Sequence, residues 1–128
     1  MEQIRPAYAT FEQAKKLKEK RFNEICFSWY SDVGDRILYG AAEMDFKAPE
    51  QWQVVEWLRV NHGIHLEVSC DVYGELWFVK LEVCSKEVWD DLDKRHKILT
   101  AHRKFNNQHK SKQEAYSAAF DYILNNLI

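Results

Sequence analysis

His62 and His65 stand three residues apart, at the end of one apolar stretch and the start of the next. Two imidazoles so placed could begin a zinc site, which would need one or two more ligands, such as Cys70, Cys84 or His96. Strand alternation turns Cys70 away from His65. The plainer reading is a helix-terminal histidine favoured by the helix dipole, beside an exposed strand histidine. Nucleophilic catalysis would need a serine or cysteine held by a histidine and an orienting acid. None of Cys26, Cys70 and Cys84 sits in such a motif. Asp90, Asp91 and Asp93 crowd three carboxylates onto a polar stretch, where solvation is the ordinary outcome. The four glycines are scattered singly, so no phosphate-cradling loop is present. No catalytic residue, metal ligand or cofactor is assigned, and a non-enzymatic protein is expected.

Charge and aromatics point to binding instead. The net charge is −2, but residues 1–93 carry 11 Lys/Arg against 18 Asp/Glu, whereas 94–113 carry seven Lys/Arg, three His and no acid. Arg95, Lys97, Arg103, Lys104, Lys110 and Lys112 could meet phosphates there, helped by the free N–H groups of a helix start. Lysine and arginine guarding a sheet edge would look the same. Five tryptophans among 128 residues are more than a small core readily hides. Trp52 lies off its apolar stripe and Trp89 sits among aspartates, so both are candidates for a protein-binding surface. The opposed charge zones would also let two copies pair as a homodimer.

The elements that must carry these residues follow from periodicity. Thr10 and Gln13 form a capping box for a helix over 11–22, with Phe11, Ala14 and Leu17 on its apolar stripe. "ICFSWYS" and "RILYG" read as a hairpin turning at Gly34, and 41–48 as a connection. Pro49 suits a helix start and Gly63 its stop; Val54, Val55, Trp57 and Leu58 form the face between them. From Ile64 the period becomes two. Leu66, Val68, Cys70 and Val72 share one face, and Trp77, Val79, Leu81 and Val83 share another. A Gly74-Glu75 loop would pair even with odd positions and set Cys70 opposite Val79, which excludes a Cys70–Cys84 bridge. Residues 85–106 read either as helix, with Val88, Leu92 and Leu99 on one face, or as a polar loop and a third strand with Leu99, Ala101 and Phe105 inward. The strand is preferred. Ser111 and Glu114 cap a last helix with Ala115, Ala119, Ile123 and Leu127 on its buried face, docked to its end.

Three stretches, "TFEQAKKLKEKRF" at 10–22, "APEQWQVVEWLRVNHGIHLEV" at 48–68 and "SKQEAYSAAFDYILNNLI" at 111–128, resemble a group of small proteins of phages and prophages of gut bacteria. The shared marks are an Ala-Pro opening, a Trp-Leu-Arg late in the middle helix and a terminal Glu-Ala-Tyr helix. The resemblance implies a source and a fold but no mechanism. The order of elements over 48–128 is also similar to the double-stranded-RNA-binding domain, and Ser111, Lys112, Ala115 and Ala119 match that family's final-helix entry. Gln113, Glu114 and Tyr116 depart from its lysines, and the acidic "DVYGE" departs from its groove-contacting histidine.

Together these readings predict one α+β domain over 1–128: an antiparallel sheet with helices mainly on one face, in the order α-β-β-α-β-β-(β)-α. No apolar run is long enough to span a membrane, and the opening residues lack a secretion pattern. The cysteines are odd in number and unpaired in spacing, which suits reduced thiols in the cytoplasm of a bacterial host. The expected role is that of a phage-type accessory protein acting through an unidentified protein partner. Nucleic acid bound by the 94–112 stretch ranks second.

Overall fold

A computed structural model describes residues 6–31, 33–34, 37–39, 46–71, 73–105 and 108–128. Val72, and the connection expected over 41–48 as far as residue 45, fall outside these. The fold is α+β: five helices and two antiparallel two-stranded sheets among the described residues. The chain divides into two compact units, Met1–Val54 and Val55–Ile128, with the boundary inside a helix.

In the first unit, helix α1 (Phe11–Glu19) starts as its sequence predicts: Thr10 accepts from the Gln13 amide, and Gln13 reaches back to the Thr10 amide. It ends with Arg21 at φ 65°, a left-handed residue that closes two bonds. Arg21 N–H donates to the Lys18 carbonyl (3.1 Å) and Phe22 N–H to that of Leu17 (2.9 Å). This is the Schellman arrangement, and its usual apolar contact partners, Leu17 and Phe22, are both buried.

Strands β1 (Ser28–Tyr30) and β2 (Ile37–Tyr39) pair with Trp29 opposite Leu38. On its other side β1 receives residues 46–48: Tyr30 N–H donates to the Phe46 carbonyl and Ala48 N–H to that of Ser28, both at 2.9 Å. Gly34 makes the turn at φ 74°, and a side chain there would strike the Phe11 ring. Alternation along β1 holds, but the inward set is Cys26, Ser28 and Tyr30, whereas Ile25 and Phe27 are each 78% exposed. The Tyr30 hydroxyl donates to the Ala9 carbonyl, which satisfies the one polar group this ring carries inside.

Helix α2 (Gln51–His62) runs across the unit boundary and buries Val54, Trp57 and Leu58. Gly63 stops it at φ 65°, where a Cβ would lie 2.4 Å from the Ser85 hydroxyl.

In the second unit, β3 (Ile64–Cys70) pairs with β4 (Trp77–Val83), even residues with odd. The register is Leu66 with Leu81 and Cys70 with Trp77, two residues from the expected Cys70–Val79 pairing. The cause is the turn. Asp71 accepts from the Gly74 amide through its carbonyl and from the Glu75 amide through its carboxylate, so the loop is longer than two residues. Ile64, Leu66, Val79 and Leu81 form the buried face.

Residues 97–105 are not a strand. Helix α3 (Lys86–Asp90) and helix α4 (Leu92–Lys104) occupy 86–104. The helical period buries Ile98, Ala101 and Phe105 and leaves Leu99 41% exposed. A strand would have had to turn Lys97 and Arg103 inward with Leu99 and Ala101, whereas the helix leaves Lys97, Arg103 and Lys104 exposed. The segment still meets the sheet. His102 Nδ1 accepts from the Leu81 amide (3.2 Å), and His109 exchanges two bonds with Trp77, so the outer edge of β4 is covered.

Helix α5 (Lys112–Asn126), capped by Ser111, lies on β3 and β4 through the fully buried Ala115, Ala119, Phe120 and Ile123. Leu127 is only half-buried and lines, with Ile128, a cleft of about 320 Å³.

Candidate interaction surface

Ser85 caps α3 by accepting from the Val88 amide (3.2 Å), and Val88 turns inward. Trp89, one residue on, therefore faces out and is 51% exposed. Asp91 ends α3 and, by accepting from the Lys94 amide (3.2 Å), starts α4. Along α4, Ile98, Ala101 and Phe105 fix the inner face. At 100° per residue the opposite face is Leu92, His96, Leu99 and Arg103. Leu92 is 66% exposed. Residues four, three and four apart share one face of a helix, and Leu92 and Leu99 are its apolar members here.

The six cations predicted as a phosphate surface are distributed over this region and the entry to α5. Arg95 is committed locally: its guanidinium donates to the Trp89 carbonyl (3.1 Å) and lies 4.8 Å from the Trp89 ring centroid. Lys97 and Lys104 are two turns apart on one flank, with Arg103 on the crest. Lys104 lies 5.8 Å from the Tyr122 ring centroid and Lys112 lies 6.0 Å from that of Tyr116. Lys110 precedes the last helix and is exposed. Arg95, Lys97, Arg103 and Lys104 thus share one helix, while Lys110 precedes the last helix and Lys112 is its first residue.

The other residues singled out for chemistry stand apart. His62 packs edge-on against Trp57 at 4.6 Å, and His65 lies across the ladder from Glu82. Among the described residues no three His, Cys, Asp or Glu side chains converge as a metal site. Burial pushes the Cys26 and Cys84 thiols up, which disfavours the nucleophilic thiolate. Asp91 acts as a cap, and Asp90 and Asp93 are exposed. Lys80 holds the Glu82 carboxyl below its ordinary value, and Arg59 does the same for Glu56. These are exposed ion pairs on the surface. Trp52 is 62% exposed, its indole N–H donating to the Glu50 carboxylate at 3.0 Å.

Sequence reasoning named Trp89 but missed Leu92 and Leu99, because the preferred strand turned Leu99 inward. The available signal was Asp91 as a cap, with Ile98, Ala101 and Phe105 spaced at three and four. It also gave no sign that Ile25 and Phe27 would face solvent. No helix among the described residues is long and apolar enough to cross a membrane. The chain matches no family model, no curated protein and no solved structure.

Proposed function

We propose that this chain is a non-enzymatic interaction protein whose α3–α4 ridge receives an acidic amphipathic helix of another protein. The observation that carries the reading is the outward stripe itself. Leu92 and Leu99 are 66% and 41% exposed on the side of α4 opposite the buried Ile98 and Ala101, and Trp89 of α3, just ahead of them in the chain, is 51% exposed. Large apolar side chains on a helix crest are the anchors of helix recognition, and Lys97, Arg103 and Lys104 along the later turns of α4 favour an acidic partner there. Within this proposal the chain acts as a phage-type accessory protein inside a bacterial cell, and its partner is a host or phage protein.

The test is affinity capture from host cells with the unaltered chain and with Leu92→Ser plus Leu99→Ser, both positions being exposed. A partner held by the first and released at least about tenfold more readily by the second supports the reading, with crosslinks mapping to α4. Retention of the same proteins by both forms overturns it. The second reading is nucleic-acid binding, favoured by the acid-free run of cations over 94–112. It requires salt-sensitive retention on duplex DNA or RNA that disappears when Arg103, Lys104, Lys110 and Lys112 become glutamine. Glu87, Asp90, Asp91 and Asp93, just ahead of that run, weigh against it. Self-pairing is decided by sedimentation across a range of concentrations.

A further inference from the structure

The first unit holds a cleft of about 270 Å³ that the α3–α4 reading does not use. Its walls come from three places. Helix α1 contributes Leu17 and Lys18, the Schellman turn after it contributes Phe22, and β1 with the segment beside it contributes Trp29 and Lys47. The apolar lining is Ala14, Leu17, Phe22, Trp29 and Pro49, with Asn23 as the uncharged polar member. Lys47 Nζ donates to the Glu24 carbonyl (2.6 Å) and stands 5.8 Å from the Trp29 ring centroid. Lys18 Nζ stands 5.0 Å from the Phe46 ring centroid. Among the described residues that line the cleft there is no carboxylate. Among the described lining residues the charges are therefore the two ammonium groups, beside an apolar surface.

We propose that this cleft binds a small planar apolar carboxylate. A cavity of roughly 150 Å³ holds benzene, so the volume here suits two fused rings. Rings of that size would lie on Phe22 and Trp29. A carboxylate at their edge would accept charge-assisted bonds from Lys18 and from the donors that Lys47 has left after Glu24. A neutral ligand would gain the same floor and leave both ammonium groups as they are. A polyanion would gain the lysines and nothing from the rings. The site favours one charge on a hydrophobic plate.

Calorimetric titration of the full chain with naphthoate, and with its neutral counterpart naphthalenemethanol, tests this. Naphthoate is expected to saturate below about 1 mM and to bind about tenfold more tightly than the alcohol. Lys18→Met with Lys47→Met is expected to bring the two ligands level, with the thermal midpoint showing the variant folded. If that variant does not fold, Lys18→Met alone, at an exposed position, is expected to cut the preference about threefold. Amide resonance shifts should centre on Phe22 and Trp29. No saturable binding, equal affinity of the two ligands for the unaltered chain, a preference that survives the lysine substitutions, or shifts centred on α4 would each overturn the proposal.

Discussion

The inward positions of β3 and β4 are Ile64, Leu66, Val79 and Leu81; those along β1 and the residues leading into it are Cys26, Ser28 and Tyr30. Both hairpins alternate, and they bury opposite kinds of residue. The difference lies in what each sheet faces. On β3 and β4 lies α5, whose Ala115 and Ala119 let the helix come close, so branched aliphatic side chains fill the space between. Around Tyr30 the packing is aromatic: Phe11 meets Tyr30 at 5.3 Å and Phe46 at 5.6 Å, both edge-on. Alternation says which residues share a face; only the partner layer says which face is buried.

The contrast can be broken at three points. Leu81→Ala, on the aliphatic side, should cost the most, about 2–5 kcal/mol, read as a drop in the denaturation midpoint. Tyr30→Phe keeps the aromatic packing and leaves the Ala9 carbonyl without its donor, so about 1–2 kcal/mol is expected. A loss as large as that of Leu81→Ala would mean the hydroxyl organises the whole first unit. Phe27→Ser should change stability by less than about 0.5 kcal/mol, since that ring is 78% exposed. A larger loss would show that Phe27 packs against something in solution, and the comparison between the hairpins would fail.

What the sequence made legible followed local rules. Thr10–Gln13 and Ser111 are caps whose chemistry is complete within four residues. Gly34 and Gly63 sit where a left-handed backbone was needed. The parity of the β3–β4 ladder was fixed by the shared apolar face, but its register depended on how Asp71 folds the loop onto itself, and the expected two-residue turn missed it by two residues. Residues 97–105 were harder because both periods found inward apolar residues. Ala101 and Phe105 fit either, and the choice between Ile98 and Leu99 rested on whether Lys97 and Arg103 could be left outside. Trp52 was read as a surface residue from its place off the apolar stripe and Trp89 from the aspartates around it, and both are exposed. The cleft by Trp29 had no sequence signature, since Leu17, Phe22 and Lys47 are brought together only by the turn at Arg21 and the strand-like pairing of 46–48.

Helix α4 seals the edge of β4 with one side of its surface and offers the Leu92–Leu99 crest with the other. The Leu81 amide, bonded to His102, sits beneath that crest without being part of it. Its rate of hydrogen–deuterium exchange therefore reads how firmly the helix is seated. Anything that settles on the crest and steadies α4 would slow that single proton, a built-in gauge of occupancy that needs no attached probe and no knowledge of what has bound.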